Sequence, residues 1–103
     1  MISFGRLKLD DDMTGMFIHG HANYAKEGED IVCAAVSGIG CSAAQGCQIY
    51  DENTQIHHCE KGNIEFACKK TVETEAIVRT ALAGLFSIKE QYPQCFNMKG
   101  CLC

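Results

Sequence analysis

From Ile31 to Ala44 the chain carries no charged residue, and nearly every side chain in the run is apolar or small. Such a run reads as a helix packed closely against a sheet, because small side chains let two backbones approach. Asp30 stands directly before it as a good N-cap, which puts Ile31, Val32 and Cys33 at the first three helical positions. Gly38 and Gly40 weaken the helix by roughly 1 kcal/mol each relative to alanine, and are expected to permit close backbone approach. Gly46 is expected to stop it.

The rest of the chain supplies the sheet that such a helix needs. Residues 2–9 alternate apolar and other side chains, with a change of phase around Gly5 and Arg6 that reads as a bulge. Asp10 to Asp12 and Gly15 mark a turn, and Met16 to Gly20 returns as a second strand of a hairpin. His21 to Glu29 is polar, carries Gly28 and reads as a mobile loop. Residues 48–54 read as an acidic linker. Residues 55–59 and 63–68 flank a Glu60-Lys61-Gly62-Asn63 turn, giving a second hairpin. Thr71 caps a last helix in which Ile77, Ala81, Leu85, Ile88 and Tyr92 recur at helical intervals. Glu73 and Glu75 suit its positive end, and Pro93 ends it.

The fold class expected is α/β: a small two-layer sandwich, two hairpins forming a mixed or antiparallel sheet packed on two helices. At 103 residues this is one domain, placed at 1–93, with 94–103 as a cysteine-containing C-terminal tail. The far face of the sheet would be thinly covered, so a homodimer is expected. Its contact would lie there or at Phe86, which helical spacing puts opposite the core stripe.

Composition narrows the function. Nine Lys and Arg against thirteen Asp and Glu give a formal charge of −4, which argues against a nucleic-acid surface, and no direct nucleic-acid binding is expected. No leader pattern is present and no run approaches a membrane span, so a cytoplasmic protein is expected. The eight cysteines include no Cys-x-x-Cys pair, and read as reduced thiols rather than a disulfide scaffold. His57, His58, Cys59 and Cys68 have a spacing that matches no standard zinc finger. No metal and no cofactor are expected.

The case for an enzyme rests on His21 and Cys33. A cysteine at the third helical position lies near unpaired backbone N–H groups, which with the helix dipole favour the thiolate. An imidazole beside it stabilises the ion and protonates a leaving amine. The same N–H groups are expected to hold the oxyanion formed when a carbonyl is attacked. Asp30 caps the helix; whether it also orients His21 stays open. Ser37 lies one turn beyond Cys33 on the same face, and Tyr24 is a pocket wall, a lid contact or a loop anchor. Against this, a cysteine in an apolar helix is commonly an inert small hydrophobe, and Cys41 and Cys47 are read in that way.

Gly20-His21-Ala22-x-Tyr24, followed by Gly28-x-Asp30-Ile31-Val32-Cys33-Ala34-Ala35-Val36-Ser37, closely resembles the signature of the bacterial ribosomal-processing cysteine protease family, Prp. The resemblance extends to Gly62-Asn63-Ile64 and to the last helix, through Leu82-Ala83-Gly84-Leu85 and Glu90-Gln91-Tyr92-Pro93. It implies a cofactor-free cysteine endopeptidase that removes a short N-terminal extension from the precursor of a large-subunit ribosomal protein. It also implies a two-layer α/β homodimer. His21 matches the family's catalytic histidine and Cys33 its nucleophile. Asp30 and Ser37 match positions that support the site, and Gly20 and Gly28 border its loop. The chain departs from the pattern at Gly38, Gly40 and Cys41, in the short region 45–55, and in the cysteines from Cys95 to Cys103. Those departures keep one alternative substrate in view, a phage capsid precursor; a separate alternative is a non-catalytic ribosome-associated or assembly protein that binds peptides in the same cleft.

Overall fold

The computed structural model describes residues 1–26 and 28–101. Glu27, assigned above to the loop, and Leu102 and Cys103, assigned to the tail, lie outside the described residues. The elements in chain order are β1 (Ile2–Arg6), β2 (Met13–His19), α1 (Ile31–Tyr50), β3 (Gln55–Glu60), β4 (Asn63–Lys69), α2 (Val72–Gln91) and β5 (Phe96–Cys101). A single 3₁₀ turn, Pro93–Cys95, joins α2 to β5. The sheet runs β3-β4-β2-β1-β5, antiparallel throughout except for the parallel β1–β5 pair. Both helices pack on it and on each other. The result is the two-layer α/β sandwich that the pattern of apolar residues called for.

Alternation along the strands builds the core. Ile2 and Phe4, Met16 and Ile18, and Ile64 and Phe66 sit at every second position and are all buried. They form one cluster with Val32, Val36 and Ala44 of α1 and Val78 and Leu85 of α2. α2 starts at a reciprocal cap, in which the Thr71 hydroxyl accepts from the Thr74 N–H and the Thr74 hydroxyl accepts from the Thr71 N–H. It is tied to the sheet by Glu75, which accepts from Arg6 at 2.9 Å and from Thr14 at 2.8 Å.

The structure corrects the sequence reading at five places. The β1–β2 register, from Ser3↔His19 to Arg6↔Met16, is unbroken, so the change of phase at Gly5 and Arg6 marks the end of the strand rather than a bulge. The irregular register lies on the other edge of β1, between Ile2 and Phe4 against β5. Next, α1 does not stop at Gly46. It runs to Tyr50, where the Asp51 N–H donates to the Cys47 carbonyl, so residues 48–50 are helix and not linker. Gly46 instead serves the contact with α2: a Cβ there would lie 3.4 Å from Ile77 Cδ1.

At this full length α1 is long and apolar enough to cross a membrane, with a mean hydropathy of 1.2, which the shorter reading missed. Its Val32, Val36, Gly40, Ala43, Ala44 and Cys47 are buried, as in the core helix of a sandwich. The expected tail at 94–103 enters the sheet as β5, with Cys95 and Phe96 buried and the Phe96 ring edge-on to Phe4 at 5.9 Å. Phe86 is partly buried, its ring 4.8 Å from Phe4, and so belongs to the core instead of an outer face.

Candidate active site

β2 lies between β1 and β4, and this placement assembles the site. Its ladder with β4 reaches His19↔Asn63 and continues by one bond, from the Gly20 N–H to the Gly62 carbonyl at 3.0 Å. His21 therefore leaves the sheet beside the β3–β4 turn. Gly20 has φ +100°, and a Cβ there would run into the Met1 carbonyl oxygen, so only glycine fits. Gly62, at φ +83°, lies under the imidazole: a Cβ on it would sit 2.7 Å from His21 Nε2 and 3.0 Å from Nδ1.

The chain returns to α1 through a loop closed at both ends by Asp30. One carboxylate oxygen accepts from the Cys33 N–H at 2.9 Å, capping the helix, and the other accepts from the Tyr24 N–H at 3.0 Å. Burial pushes the Asp30 carboxyl up, but the N–H groups of Cys33, Tyr24, Ala25 and Val32 outweigh it and hold it below the usual carboxylate value. Asp30 is thus a helix cap and loop clasp, with both oxygens taken by backbone amides. Tyr24 is 45% exposed, and its ring stands edge-on to Tyr92 at 5.3 Å. This ring contact is the one a loop anchor makes. Gly28 sits in the last turn of the loop.

His21 and Cys33 line one pocket of about 170 Å³, together with Asn23, Ala25, Asp30 and Lys61. The Cys33 residue is 5% exposed, and it borders the same pocket as His21. A thiol and an imidazole sharing a narrow cleft at a helix start can attack a carbonyl and protonate a leaving group. The oxyanion site expected at the helix start is changed, because the Cys33 N–H is held by the Asp30 carboxylate and the Ala34 N–H by the Asp30 carbonyl at 3.1 Å. Ser37 is partly buried on α1 and is not among the residues lining the pocket.

The other thiols stand apart. Burial pushes Cys47 up to about 12 and Cys41 up to about 11, and it also raises Cys68 and Cys95. These four are held as thiols near neutral pH. Cys68 faces Cys47 while Cys59 faces Cys41, so the possible zinc ligands diverge. Among the described residues no three His, Cys, Asp or Glu side chains converge as a metal site. A larger groove, about 740 Å³, runs between α1 and α2 and is lined by Ala34, Gly38, Ile39, Ala76, Ile77 and Gly84 among others. It has no ionisable lining residue and so no chemistry of its own.

Asn23, Ala25, Lys61 and Gly62 were not singled out as site residues from the sequence. The available signal was the Glu60–Asn63 turn, which reaches His21 only once β4 is paired with β2. Asn23 adopts φ +52°, a conformation that asparagine tolerates better than most residues.

The family model described as "Cysteine protease Prp" matches residues 1–97. No curated protein matches the sequence. Among solved structures, the chain is similar to the essential ribosomal processing protease Prp from S. aureus in complex with a covalently linked product peptide. That match has 23% identity and a TM-score of 0.72, covering 99% of this chain and 97% of that one. The same S. aureus protease in complex with a substrate peptide matches at 21% identity and a TM-score of 0.63, covering 100% of this chain and 98% of that one. SMU.848 from Streptococcus mutans matches at 19% identity and a TM-score of 0.63, covering 91% and 88%. The chain belongs to the cysteine protease Prp family.

Proposed function

From its membership in the cysteine protease Prp family, we propose that this chain removes a short N-terminal extension from the precursor of a bacterial large-subunit ribosomal protein. Cys33 is the nucleophile and His21 its acid–base partner. The observation that carries the reading is that these two residues line one small pocket. The S. aureus relative, called a ribosomal processing protease and held with substrate and covalently linked product peptides, supports the substrate class.

Cys33 Sγ attacks the carbonyl carbon before the cut, giving a tetrahedral adduct. His21 protonates the departing amine as the C–N bond breaks, leaving a thioester on Cys33. His21 then takes a proton from water, which adds to the thioester and releases the acid and the free thiol. Asp30 clasps the loop that bears His21, Gly20 and Gly28 let that loop turn, and Ser37 supports the helix rather than the pocket. The reaction belongs in the cytoplasm, where ribosomal precursors are made. A homodimer fits the reading, with the apolar groove between α1 and α2 as its contact; a monomer mass in sedimentation equilibrium would remove that part.

The test incubates the protein with a ribosomal precursor bearing its extension, beside Cys33→Ala and His21→Ala, and identifies products by mass spectrometry. One defined cut, lost in both variants, is expected. Binding without cleavage would favour the peptide-binding alternative, and preference for a capsid precursor the phage one.

A further inference from the structure

We propose that Gly62, in the β3–β4 turn, is the positioning residue for His21, and that this turn sets the ring's place in the pocket that His21 shares with Cys33. The inference rests on the dyad reading above and goes beyond it, because Gly62 lies some forty residues from His21 in sequence, on a separate hairpin. Three observations meet at this position. The Gly62 carbonyl accepts from the Gly20 N–H at 3.0 Å, fixing the backbone one residue before the histidine. Its φ of +83° turns the chain so that the α-carbon's open side faces the ring. A Cβ there would come within 2.7 Å of Nε2 and 3.0 Å of Nδ1, nearer than non-bonded atoms pack. The imidazole therefore lies on a floor that only glycine supplies. Lys61, the preceding turn residue, lines the same pocket, so the turn forms one wall of the cleft as well as its floor.

A methyl group on Gly62 must push the ring aside. Misplacing a reacting group by about 1 Å can cost on the order of a hundredfold in rate. Gly62→Ala is therefore expected to lower kcat on the precursor peptide by about tenfold to a hundredfold, with KM held within about twofold. A second readout needs no substrate: the rate of Cys33 alkylation by iodoacetamide near neutral pH, followed by peptide mapping. Here Gly62→Ala should resemble His21→Ala, and the double variant should be no slower than His21→Ala alone, because both act through one ring. Additive losses, or a Gly62→Ala protein with kcat within about twofold of the parent, would overturn the proposal.

Thermal unfolding separates the ring contact from backbone strain. The strain of alanine at positive φ is the same whether or not a ring lies above it. Gly62→Ala should thus lower Tm in the parent and lower it less in the His21→Ala background. If the single variant does not fold, folding of the double variant supports the contact, and its failure refutes it. An unchanged Cys33 rate and undiminished cleavage in His21→Ala would instead remove the dyad reading, while the Tm comparison still judges the contact.

We also infer that Cys41 and Cys59 form an oxidation site for hydrogen peroxide. Their sulfur atoms are 2.9 Å apart across the gap between α1 and the edge strand β3, and Cys59 is exposed. A disulfide of about 2.05 Å needs under an ångström of further approach. Peroxide oxidises one thiol to a sulfenic acid and leaves as water. The second sulfur then displaces a second water, so two thiols lose two electrons and two protons while peroxide is reduced to two waters. Hydrogen peroxide treatment, then non-reducing digestion by an enzyme that cuts at Asp51 or Glu52, should join the Cys41 peptide to the Cys59 peptide. The link should vanish in Cys41→Ser and survive in Cys47→Ser. Failure of the link to form, or its persistence in Cys41→Ser, would refute the pairing.

Discussion

Asp30→Ala removes two hydrogen bonds at once, the 2.9 Å cap to the Cys33 N–H and the 3.0 Å clasp to the Tyr24 N–H. Loss of an N-cap costs about 1 kcal/mol, and the exposed clasp adds roughly 0.5–1 kcal/mol. For a domain near this size, each kcal/mol is worth about 4–8 °C in Tm. The variant should then melt roughly 6–16 °C lower. Asp30→Asn keeps a single acceptor oxygen and the cap's preferred residue class, so its loss should be less than half as large. The pH dependence follows from the lowered carboxyl. A group held below its unfolded value stabilises the fold above that unfolded value, about 3.9 for aspartate, and ceases to do so as pH falls through the folded value. The gap in Tm between parent and Asp30→Ala should stay flat from neutral down to about pH 5 and close below about pH 4. Circular dichroism melts at a series of pH values give the curve. A gap that stays constant into acid, or an alanine variant as stable as the parent, would refute the cap-and-clasp account.

Gly40→Ala should destabilise by about 1–3 kcal/mol, because its Cβ would lie 2.7 Å from Ile18 Cδ1 and 2.8 Å from Ile64 Cδ1. Gly38→Ala, where a Cβ meets nothing within 4 Å, should stabilise by up to about 1 kcal/mol; urea unfolding of the two variants checks both signs. Glu75→Gln should cost about 0.5–1.5 kcal/mol, less at high salt, by loosening the tie to Arg6 and the buried Thr14. The hydrogen bond from Arg6 holds the Glu75 carboxyl low, so this contribution too should fade in acid, which urea titration at two pH values would show. Phe66→Ala, at a fully buried core position, should cost about 3–5 kcal/mol and leave little folded protein at room temperature by circular dichroism.

The parts of the fold governed by local pattern were legible. Alternation marked the first strand and short runs flanking turns marked the other three strands of the two hairpins, Asp30 and Thr71 marked both helix starts, and Pro93 marked the end of α2. The misreadings came from tertiary context. Gly46 looks like a helix stop in isolation, yet Ile77 across the groove uses its small size as a contact point. The β5 segment, with Gly100 and a single apolar pair in Phe96 and Met98, has little strand signal of its own and is drawn into the sheet by the free edge of β1 and by burial of Phe96. Phe86 falls between the stripe and the polar side of α2, and only the position of Phe4 decides where it points. His21 and Cys33 were readable because a cap and a helix start are local. Gly62 was visible only as part of a turn and of the family resemblance, and its place beneath His21 was not readable, since nothing local tells which strand β4 will join.

The pairing of β2 with β4 therefore matters to the chemistry as much as the dyad's own segment does. β2 has β1 on one side and β4 on the other, so a hairpin distant in sequence finishes beside the residue that follows it. Without that pairing, His21 would belong to a polar loop held only through Asp30. With it, the ring is bounded below by Gly62, and the carboxylate that closes the loop also caps the helix carrying Cys33. The His21 segment is thus held both locally, through Asp30, and across the sheet, through Gly62, while Cys33 is placed by the helix cap. The narrowness of the cleft follows from this: a backbone floor and a helix start leave little space between them. The wide groove between α1 and α2 is lined mostly by alanines, glycines and isoleucines, with Ser42 and Thr80, and offers contact area without ionisable groups. The groove and the narrow cleft share no lining residue, and a substitution such as Gly38→Leu should disturb the dimer proposed through that groove while leaving the rate of Cys33 alkylation unchanged.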